Sequence, residues 1–272
     1  MRTLCCIPPL LLALALTAFP ATAQLRQGSV RLNDPTLAGA YLSVADKTAL
    51  EGFPAITIEA WVYPTVSGSY MTIVGNDFHT SYWLGLTPEG NIRFYPRGGT
   101  AVDGVVAGGV PLGKWSHVAV TYDGTTYFIY LNAATVAAGI SISGPIGTSP
   151  GDLRIGADRE AGAPAYLFRG CLDQVRIWGV ARTGAQIRET LYAGVGKPSY
   201  FHSGAYAGLR ASWDMQGGVI SSYPWVFDDA DGPGEGVNTA EQIGGTTISP
   251  QAPPVSYNVA LQLNGVDDYA VM

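Results

Sequence analysis

One stretch of this chain constrains the fold more than any other. In KWSHVAVTYDGTTYFIYLN, residues 114–132, apolar and polar side chains alternate on both sides of the dipeptide Asp123-Gly124. A period of two is typical of a β-strand with one buried face. Asp-Gly between two such runs favours a tight type I′ turn. The stretch therefore predicts an antiparallel hairpin.

The same alternation recurs along the chain. It is found at residues 55–64 (AITIEAWVYP) and, on both sides of a turn at 88–91, in residues 81–96 (SYWLGLTPEGNIRFYP). Three shorter stretches read as further strands: DLRIGAD, CLDQVRIWG and LRASWDM. Many short strands, 35 glycines and 18 prolines together predict an all-β fold, an antiparallel β-sandwich of jelly-roll type.

Helix is expected in one short segment, near residues 183–193. Thr183 can cap its first turn, Gln186 completes a capping box, and Gly194 can end it. Gly170, which follows Phe168 closely, indicates a bulge or a close approach between strands.

The first 23 residues have the pattern of a secretory signal peptide. Arg2 precedes an apolar run at residues 7–19, and Ala21-Thr22-Ala23 forms a cleavage motif before Gln24. We therefore expect a secreted or cell-surface protein that is cleaved near Ala23-Gln24. Of three cysteines only Cys171 would remain, so no internal disulfide can form, and we expect this thiol to be buried.

Charge and hydropathy exclude two classes of partner. The chain has a net charge of −6, and removal of Arg2 with the signal peptide makes it one unit more negative. An acidic surface without a basic run does not favour nucleic acid or anionic lipid. No later apolar stretch approaches the roughly 20 residues of a membrane helix, so we expect no membrane insertion of the mature chain.

The C-terminal part predicts the end of one domain and the start of another. Residues 216–254 are rich in Gly, Ser, Asp and Pro, which suits an irregular end or a linker of a domain at 24–250. ALQLNGVDDYAV, at residues 260–271, repeats the order of residue types found at residues 29–44. Residues 256–272 are therefore interpreted as the first strand of a second, truncated repeat, with a final edge strand of the first domain as the alternative.

Four stretches resemble successive motifs of one known family. ITIEAWVYP, GKWSHVAVTYDGTTYFIYLN, LRIGAD with FRGCLDQVRIWGVARTGAQI, and LRASWDM resemble the laminin G-like, concanavalin A-like jelly-roll domains of bacterial secreted proteins. The motifs occur in the order seen in that family and cover most of residues 29–215. The family's usual opening resembles residues 260–271 more closely than residues 29–44, where residues 34–39 are inserted. The resemblance implies the jelly-roll fold and a recognition function.

Polar residues inside apolar strands indicate buried pairs. Glu59 and Arg176 interrupt otherwise apolar stretches, and a buried charge requires a partner, so we expect them to pair with each other or with a neighbour. Trp61, Trp115 and Trp178 are interpreted as packing residues, with a sugar-stacking platform as the alternative.

We find no catalytic motif and expect no enzymatic activity from this chain. Hydrolases of this fold usually carry Glu-x-Asp-x-x-Glu on one strand, and this motif is missing from the sequence. The closest acidic pairs, Asp158 with Glu160 and Asp228 with Asp229, are expected in loops. The stretch at 108–115 has Trp115 where a phosphate loop has Ser or Thr.

The family resemblance also implies a calcium ion at the rim in some members. Asp158 falls in the loop after LRIG, and Asp77 is the nearest acid to the first ligand position. Ca²⁺ requires six to eight oxygen ligands, so these two candidates make an incomplete site, and ordinary turn residues are the alternative. A second acidic cluster at residues 228–235 is interpreted as a solvated loop.

The predicted function is non-catalytic recognition or adhesion, with a glycan or an extracellular protein as the partner. The loops GNDFHTSYW and GADREAGAPAY concentrate aromatic and polar side chains, and Tyr82 and Trp83 are the candidate ligand-binding residues. Two alternatives stay open: a structural spacer in a multidomain array, and an accessory domain of a carbohydrate-active enzyme.

Overall fold

The predicted hairpin lies in one of two large antiparallel sheets. The computed structural model describes residues 29–33, 39–45, 48–96, 109–141, 144–193, 207–213, 215, 225–226, 240–244, 247–249 and 253–254. All of them belong to one unit, Arg26–Ala260. The predicted signal peptide, the acidic cluster at 228–235 and the predicted second repeat at 256–272 lie outside the described residues.

The chain passes several times between the two large sheets, and each passage adds one to three strands to a sheet. The first half contains β1 (Ser29–Leu32), β2 (Tyr41–Val44), β3 (Ile56–Pro64), β4 (Met71–Gly75), β5 (Trp83–Leu86), β6 (Ile92–Tyr95), β7 (Ser116–Tyr122), β8 (Thr126–Leu131) and β9 (Ala134–Ser141). The second half contains β10 (Leu153–Ile155), β11 (Asp158–Glu160), β12 (Ala163–Ala165), β13 (Gly170–Trp178), β14 (Leu209–Trp213), β15 (Trp225–Val226), β16 (Ala240–Ile243) and β17 (Thr247–Ser249). A short 3₁₀ turn, Thr48–Leu50, and the helix α1, Gly184–Thr190, complete the described elements.

The sheets are named here by what lies on their outer faces. The helix-side sheet has the order β17-β1-β13-β3-β7-β8-β9, with β14 also paired to β13. The pocket-side sheet has the order β15-β16-β2-β10-β4-β5-β6, and β11 and β12 form a separate hairpin. The predicted antiparallel sandwich with one short helix is confirmed.

The core contains apolar side chains from both sheets. Ile58 and Val120 of the helix-side sheet belong to the same buried cluster as Leu84 and Phe94 of the pocket-side sheet. Each buried side chain of this size stabilises the fold by about 1.5–3 kcal/mol relative to exposure. The alternation read from the sequence thus sets which face of each strand is buried.

The central hairpin forms as predicted, but its turn has a different geometry. Tyr122 pairs with Tyr127, and the amide of Asp123 donates to the carbonyl of Thr126 at 3.1 Å. The two residues between Asp123 and Thr126 are Gly124 and Thr125, and of these only Gly124 has a positive φ, 94°, so the turn is not type I′. The Asp123 carboxylate instead accepts the amides of Thr125 and Thr126, and these hydrogen bonds lower its pKa.

The helix begins as predicted and ends earlier than expected. Thr183 and Gln186 form the capping box, but α1 ends at Thr190. Side chains of the sheet donate hydrogen bonds to the carbonyls at the end of the helix. Nε1 of Trp61 donates to the carbonyl of Leu191 at 3.2 Å, and the guanidinium of Arg176 donates to the carbonyls of Thr190 and Ala193. Because these carbonyls are satisfied from the sheet, the chain gains less from another helical turn.

The C-terminal segment that was predicted to be irregular contains strands. In the described part of residues 216–254, β15 pairs with β16 and β16 with β2, while β17 pairs with β1, so two strands are added to the pocket-side sheet and one to the helix-side sheet. An unpaired strand edge leaves backbone donors and acceptors without partners. Pairing of that kind is available to a segment of almost any composition, which explains why its Gly- and Ser-rich sequence was misleading.

Gly170 marks a close approach between strands. It has a φ of 142°, and a Cβ there would lie 2.0 Å from the carbonyl oxygen of Tyr63. The bulge of this strand lies further along, between Asp173 and Arg176, where Gln174 has a φ of 49°. Cys171 is buried, as predicted.

A buried ion cluster lies between the helix-side sheet and α1. The Glu59 carboxylate accepts Nε1 of Trp178 at 2.9 Å and Nη1 of Arg182 at 3.1 Å, and Nη1 of Arg176 lies 3.6 Å away. Nε2 of His117 is 3.7 Å from the same carboxylate. The predicted pairing of Glu59 with Arg176 is confirmed, and Arg182 is the closer partner.

The tryptophans of this face are buried under the helix and not between the sheets. Trp178 is fully buried, and Trp61 packs with Ile187 and Leu191 of the helical segment. Trp115 is half-buried against Tyr63, with ring centroids 5.5 Å apart. The interpretation as packing residues is therefore correct for the two buried rings, Trp61 and Trp178.

Candidate functional site

Five aromatic side chains surround a cavity on the outer face of the pocket-side sheet. The cavity has a volume of about 150 Å³ and is lined by Tyr70, Phe78, Trp83, Tyr95 and Tyr166. We call it the aromatic pocket. Trp83 and Tyr95 come from β5 and β6, Tyr70 directly precedes β4, and Phe78 and Tyr166 come from the turns after β4 and β12.

Trp83 forms the floor of the aromatic pocket. It is 3% exposed, and its Nε1 donates to Oγ1 of Thr72 at 2.8 Å. The indole ring lies over Gly85, where a Cβ would come within 2.3 Å of ring carbon Cζ2. A glycine two residues after the tryptophan, on the same face of the strand, therefore lets the ring lie across the sheet.

The walls of the aromatic pocket are aromatic rings in edge-to-face contact. The centroid of Tyr95 lies 5.6 Å from that of Trp83, and Tyr166 lies 5.8 Å from Phe78 and 6.2 Å from Tyr70. Such pairs contribute about 0.5–1.5 kcal/mol each beyond the area they bury. The contacts hold the walls in place before any ligand arrives.

Polar side chains surround this aromatic surface. Cζ of Arg93 lies 4.8 Å from the ring centroid of Tyr95, and its Nη1 donates to the hydroxyl of Tyr70 at 3.1 Å. On the other side, the hydroxyl of Tyr166 donates to Glu160 at 3.2 Å, and Nε2 of His79 lies 3.4 Å from the same carboxylate. Burial and the nearby Glu160 carboxylate raise the pKa of Tyr166, so its hydroxyl keeps its proton at neutral pH.

Two residues at the aromatic pocket have left-handed backbone conformations. Tyr166 has a φ of 51° and Asp77, which precedes Phe78, has a φ of 65°. For an aromatic residue this conformation costs about 1–2 kcal/mol. The carbonyl of Tyr166 accepts the amide of Thr72 at 2.7 Å, which holds the ring against β4. Strain of this kind is concentrated at functional sites.

Asp158 holds the turn that carries Phe78. The sequence placed it in a loop, but it begins β11 and is 1% exposed. Its two carboxylate oxygens accept the amides of Asp77 and Phe78, each at 3.1 Å. Burial is the main cause that raises the pKa of Asp158 to about 6, against the opposite effect of these hydrogen bonds.

The structure brings the two candidate calcium ligands together, but their surroundings do not fit the ion. The oxygens of Asp158 already face amide donors, and Oδ1 of Asp77 accepts the amide of His79 at 3.1 Å. Among the described residues, no group of three or more His, Cys, Asp or Glu side chains is placed to hold a metal ion. Two carboxylates engaged in this way offer few of the six to eight oxygens that Ca²⁺ requires.

A larger open cavity, the adjoining groove, lies next to the aromatic pocket. It has a volume of about 530 Å³ and shares Tyr70 and Tyr166 with the aromatic pocket. Its other lining residues are Val66, Ser67, Gly68, Ser69, Met71, Pro88, Pro164, Ala165, Leu167 and Arg169.

The two ligand-binding residues that the sequence indicated have different positions. Trp83 lies in the aromatic pocket, but Tyr82 is fully buried in the core, where its hydroxyl donates to the carbonyl of Leu50 at 2.8 Å. The prediction that Tyr82 binds the ligand is therefore wrong, and Tyr82 is a core residue. Adjacent residues of an extended chain face opposite sides, so Trp83 and Tyr82 cannot both face the pocket. The two loops named from the sequence do supply Phe78 and Tyr166.

Three residues of the site were not recognised in the sequence. Arg93 and Tyr95 occupy the outward positions of IRFY, whose inward positions are Ile92 and Phe94, so the alternation could have identified them. Tyr70 lies in a loop, and nothing in its sequence context separates it from an ordinary surface tyrosine.

Within the described residues, no helix has the length and apolar character needed to cross a membrane.

Comparisons with known proteins agree with this architecture. A family model of the laminin G type matches residues 36–188, which is more than half of the chain. Its description is the concanavalin A-like lectin/glucanases superfamily. The chain therefore belongs to this family, as the sequence motifs indicated. No match was found among proteins with curated descriptions.

Two solved structures illustrate the similarity of fold. A candidate carbohydrate-binding protein from Bacteroides ovatus is 23% identical with a TM-score of 0.62; the match covers 85% of this chain and 62% of that protein. The heptameric SAP-like pentraxin of Limulus polyphemus is 14% identical with a TM-score of 0.53, over 85% of this chain and 98% of the pentraxin. At these identities the similarity shows a shared fold.

Proposed function

Because the chain belongs to the laminin G-like branch of the concanavalin A-like lectin/glucanase superfamily, we propose that it is a non-catalytic module that binds a glycan at the aromatic pocket. One observation carries this proposal: five aromatic rings line a cavity of about 150 Å³ with Arg93 and Glu160 at its edge. The apolar face of a sugar ring packs on aromatic rings, while its hydroxyls require polar partners around them.

The lining of the two cavities supports binding over hydrolysis. Glycoside hydrolysis requires two carboxyl groups held across the scissile bond. In the part of the chain that the structure describes, no aspartate or glutamate lines the aromatic pocket or the adjoining groove. Asp158, the closest buried acid, faces backbone amides.

We further propose that the module acts outside the cytoplasm, as a secreted or cell-surface recognition or adhesion unit. The signal-peptide pattern at residues 1–23 supports this location. The alternatives are an extracellular protein as partner, a structural spacer, and an accessory role beside a catalytic domain. They differ in whether the isolated domain binds sugar.

A glycan array with the purified domain tests the proposal, followed by calorimetry on the sugars that are retained. Tyr95→Ala should weaken binding by about tenfold or more, which corresponds to about 1.4 kcal/mol for one lost stacking wall. Tyr192→Ala is the matched control, since Tyr192 is an exposed aromatic residue beside α1 on the opposite side of the sandwich.

The outcomes separate the alternatives. No retained glycan, with a folded protein by circular dichroism, would favour the spacer or a protein partner. Equal losses in Tyr95→Ala and Tyr192→Ala would place the site elsewhere.

A further inference from the structure

The aromatic pocket and the adjoining groove lie side by side and share two lining rings. Tyr70 and Tyr166 line both cavities, and their rings are in edge-to-face contact at 6.2 Å. A ligand in the aromatic pocket that extends past these two rings therefore enters the groove directly. The groove has more than three times the volume of the pocket, about 530 against 150 Å³.

The two cavities differ in the chemistry of their linings. The pocket is lined by aromatic rings alone, whereas the groove presents the exposed hydroxyls of Ser67 and Ser69 and the exposed guanidinium of Arg169. Pro88 and Pro164 add rigid apolar surface. Hydroxyls, a guanidinium and flat apolar patches suit a further sugar unit, which has both hydroxyl groups and C–H faces.

The walls of the groove are held by backbone hydrogen bonds. The amide of Gly68 donates to the carbonyl of Pro88 at 2.8 Å, and the amide of Thr65 donates to that of Arg169 at 3.0 Å. The segment that carries Ser67 and Ser69 is thus tied to both sides of the groove. A preformed groove loses little conformational entropy on binding, so added sugar contacts would appear as affinity.

From this geometry we infer that the ligand is an oligosaccharide chain bound along its length, with one ring in the aromatic pocket and the following units in the adjoining groove. The inference rests on the proposed glycan-binding function and specifies its ligand class. A single sugar fills the pocket and leaves the groove to solvent. Affinity therefore rises with chain length until the groove is filled, and then stays constant.

Calorimetry with cello-, xylo-, manno- and arabino-oligosaccharides of one to six units tests this inference. For the sugar series that binds, we expect the tetrasaccharide to bind at least tenfold more tightly than the monosaccharide. Ser67→Trp places a large ring in the groove and should reduce this ratio towards one. Ala185→Trp adds the same ring to the exposed surface of α1 and should keep the wild-type ratio.

Each outcome decides between the two proposals. Binding that does not increase with length would overturn the chain inference and leave glycan binding at the aromatic pocket intact. A wild-type ratio in Ser67→Trp would also overturn it, because the added units would then lie outside the groove. If no oligosaccharide of any length binds, the proposed function fails and the inference fails with it.

Discussion

The two outer faces of the sandwich carry similar side chains but have different coverings. On the helix-side sheet, Trp178, Arg176 and Glu59 are buried beneath the segment that contains Arg182 and α1. On the pocket-side sheet, Trp83 and Arg93 have comparable outward positions; among the residues that the structure describes, the β11–β12 hairpin and short turns lie around them, and a cavity remains.

The difference shows that residue type alone does not separate a structural cluster from a binding site. Aromatic rings, arginine, glutamate and histidine occur on both faces. Where a helical segment covers the face, its own groups complete the contacts of the sheet, as Arg182 does for Glu59 at 3.1 Å. Where no such segment covers the face, the same residue types leave contacts for a ligand.

The largest expected effect concerns the two glutamates. Glu59→Gln removes the buried carboxylate that Arg176 and Arg182 share, which should lower the free energy of unfolding by about 3–5 kcal/mol. Glu160→Gln should lower it by less than about 1 kcal/mol, because the Glu160–His79 pair is half exposed. Urea denaturation of both variants measures the difference, and equal effects would mean that the helix-side cluster is open to solvent.

The two histidines should differ in how they make stability depend on pH. Burial lowers the pKa of His117 to about 4, although Glu59 opposes the shift and Arg176 and Arg182 favour it. A histidine whose pKa is lower in the folded state stabilises the fold fully above its unfolded pKa of about 6.5. That contribution is lost as the pH falls from about 6.5 towards 4 and amounts to about 3 kcal/mol.

Comparison of wild type with His117→Gln at several pH values isolates this contribution. The difference in free energy of unfolding between the two proteins should change by about 3 kcal/mol across that window. His79→Gln, on the half-exposed pair of the other face, should change stability by less than about 1 kcal/mol. A constant difference for His117→Gln would show that this imidazole is hydrated in the folded protein.

Gly85→Ala tests the floor of the aromatic pocket. The added Cβ would meet the carbonyl oxygen of Met71 and the ring of Trp83, both at 2.3 Å, so the ring must move. We expect a loss of about 1–3 kcal/mol in stability, as for overpacking, together with loss of glycan binding. Gly184→Ala in α1 is the control: its Cβ would lie nearest to the ring of Tyr130, at 3.0 Å, on the opposite side of the sandwich from the aromatic pocket. Sugar affinity equal to that of the wild type in Gly85→Ala would show that Trp83 is not part of the sugar-binding site.

The smallest expected effect concerns calcium. Because the oxygens of Asp158 accept amides, thermal melts in millimolar calcium and in chelator should coincide to within experimental error. An ion bound only by the folded state would raise the melting temperature as its concentration rises. A calcium-dependent increase that disappears in Asp77→Asn would restore the site implied by the family resemblance.

Much of the fold could be predicted because it depends on local patterns. The hairpin around Asp123-Gly124 and the capping box of Thr183 and Gln186 need only neighbouring residues, and both form. The end of α1 could not be predicted, because it depends on tertiary contacts: Trp61, 130 residues away, donates to the carbonyl of Leu191, and Arg176 of the sheet donates to that of Thr190. The strands β16 and β17 were missed for the same reason, since their partners β2 and β1 lie near the other end of the chain.

The sequence by itself determined the central strands and their buried faces, the family and the two loops that supply Phe78 and Tyr166, because strand alternation and turn chemistry act over a few residues. Only the tertiary structure decided that Tyr70 and Tyr95 join them and that Tyr82 does not. The order β4-β5-β6 places the outward side chains of separate strands next to one another, and the β11–β12 hairpin contributes the ring of Tyr166 beside them. The covering of each face is likewise a long-range property: α1 covers one set of aromatic and charged residues, and the other set is left to form a pocket.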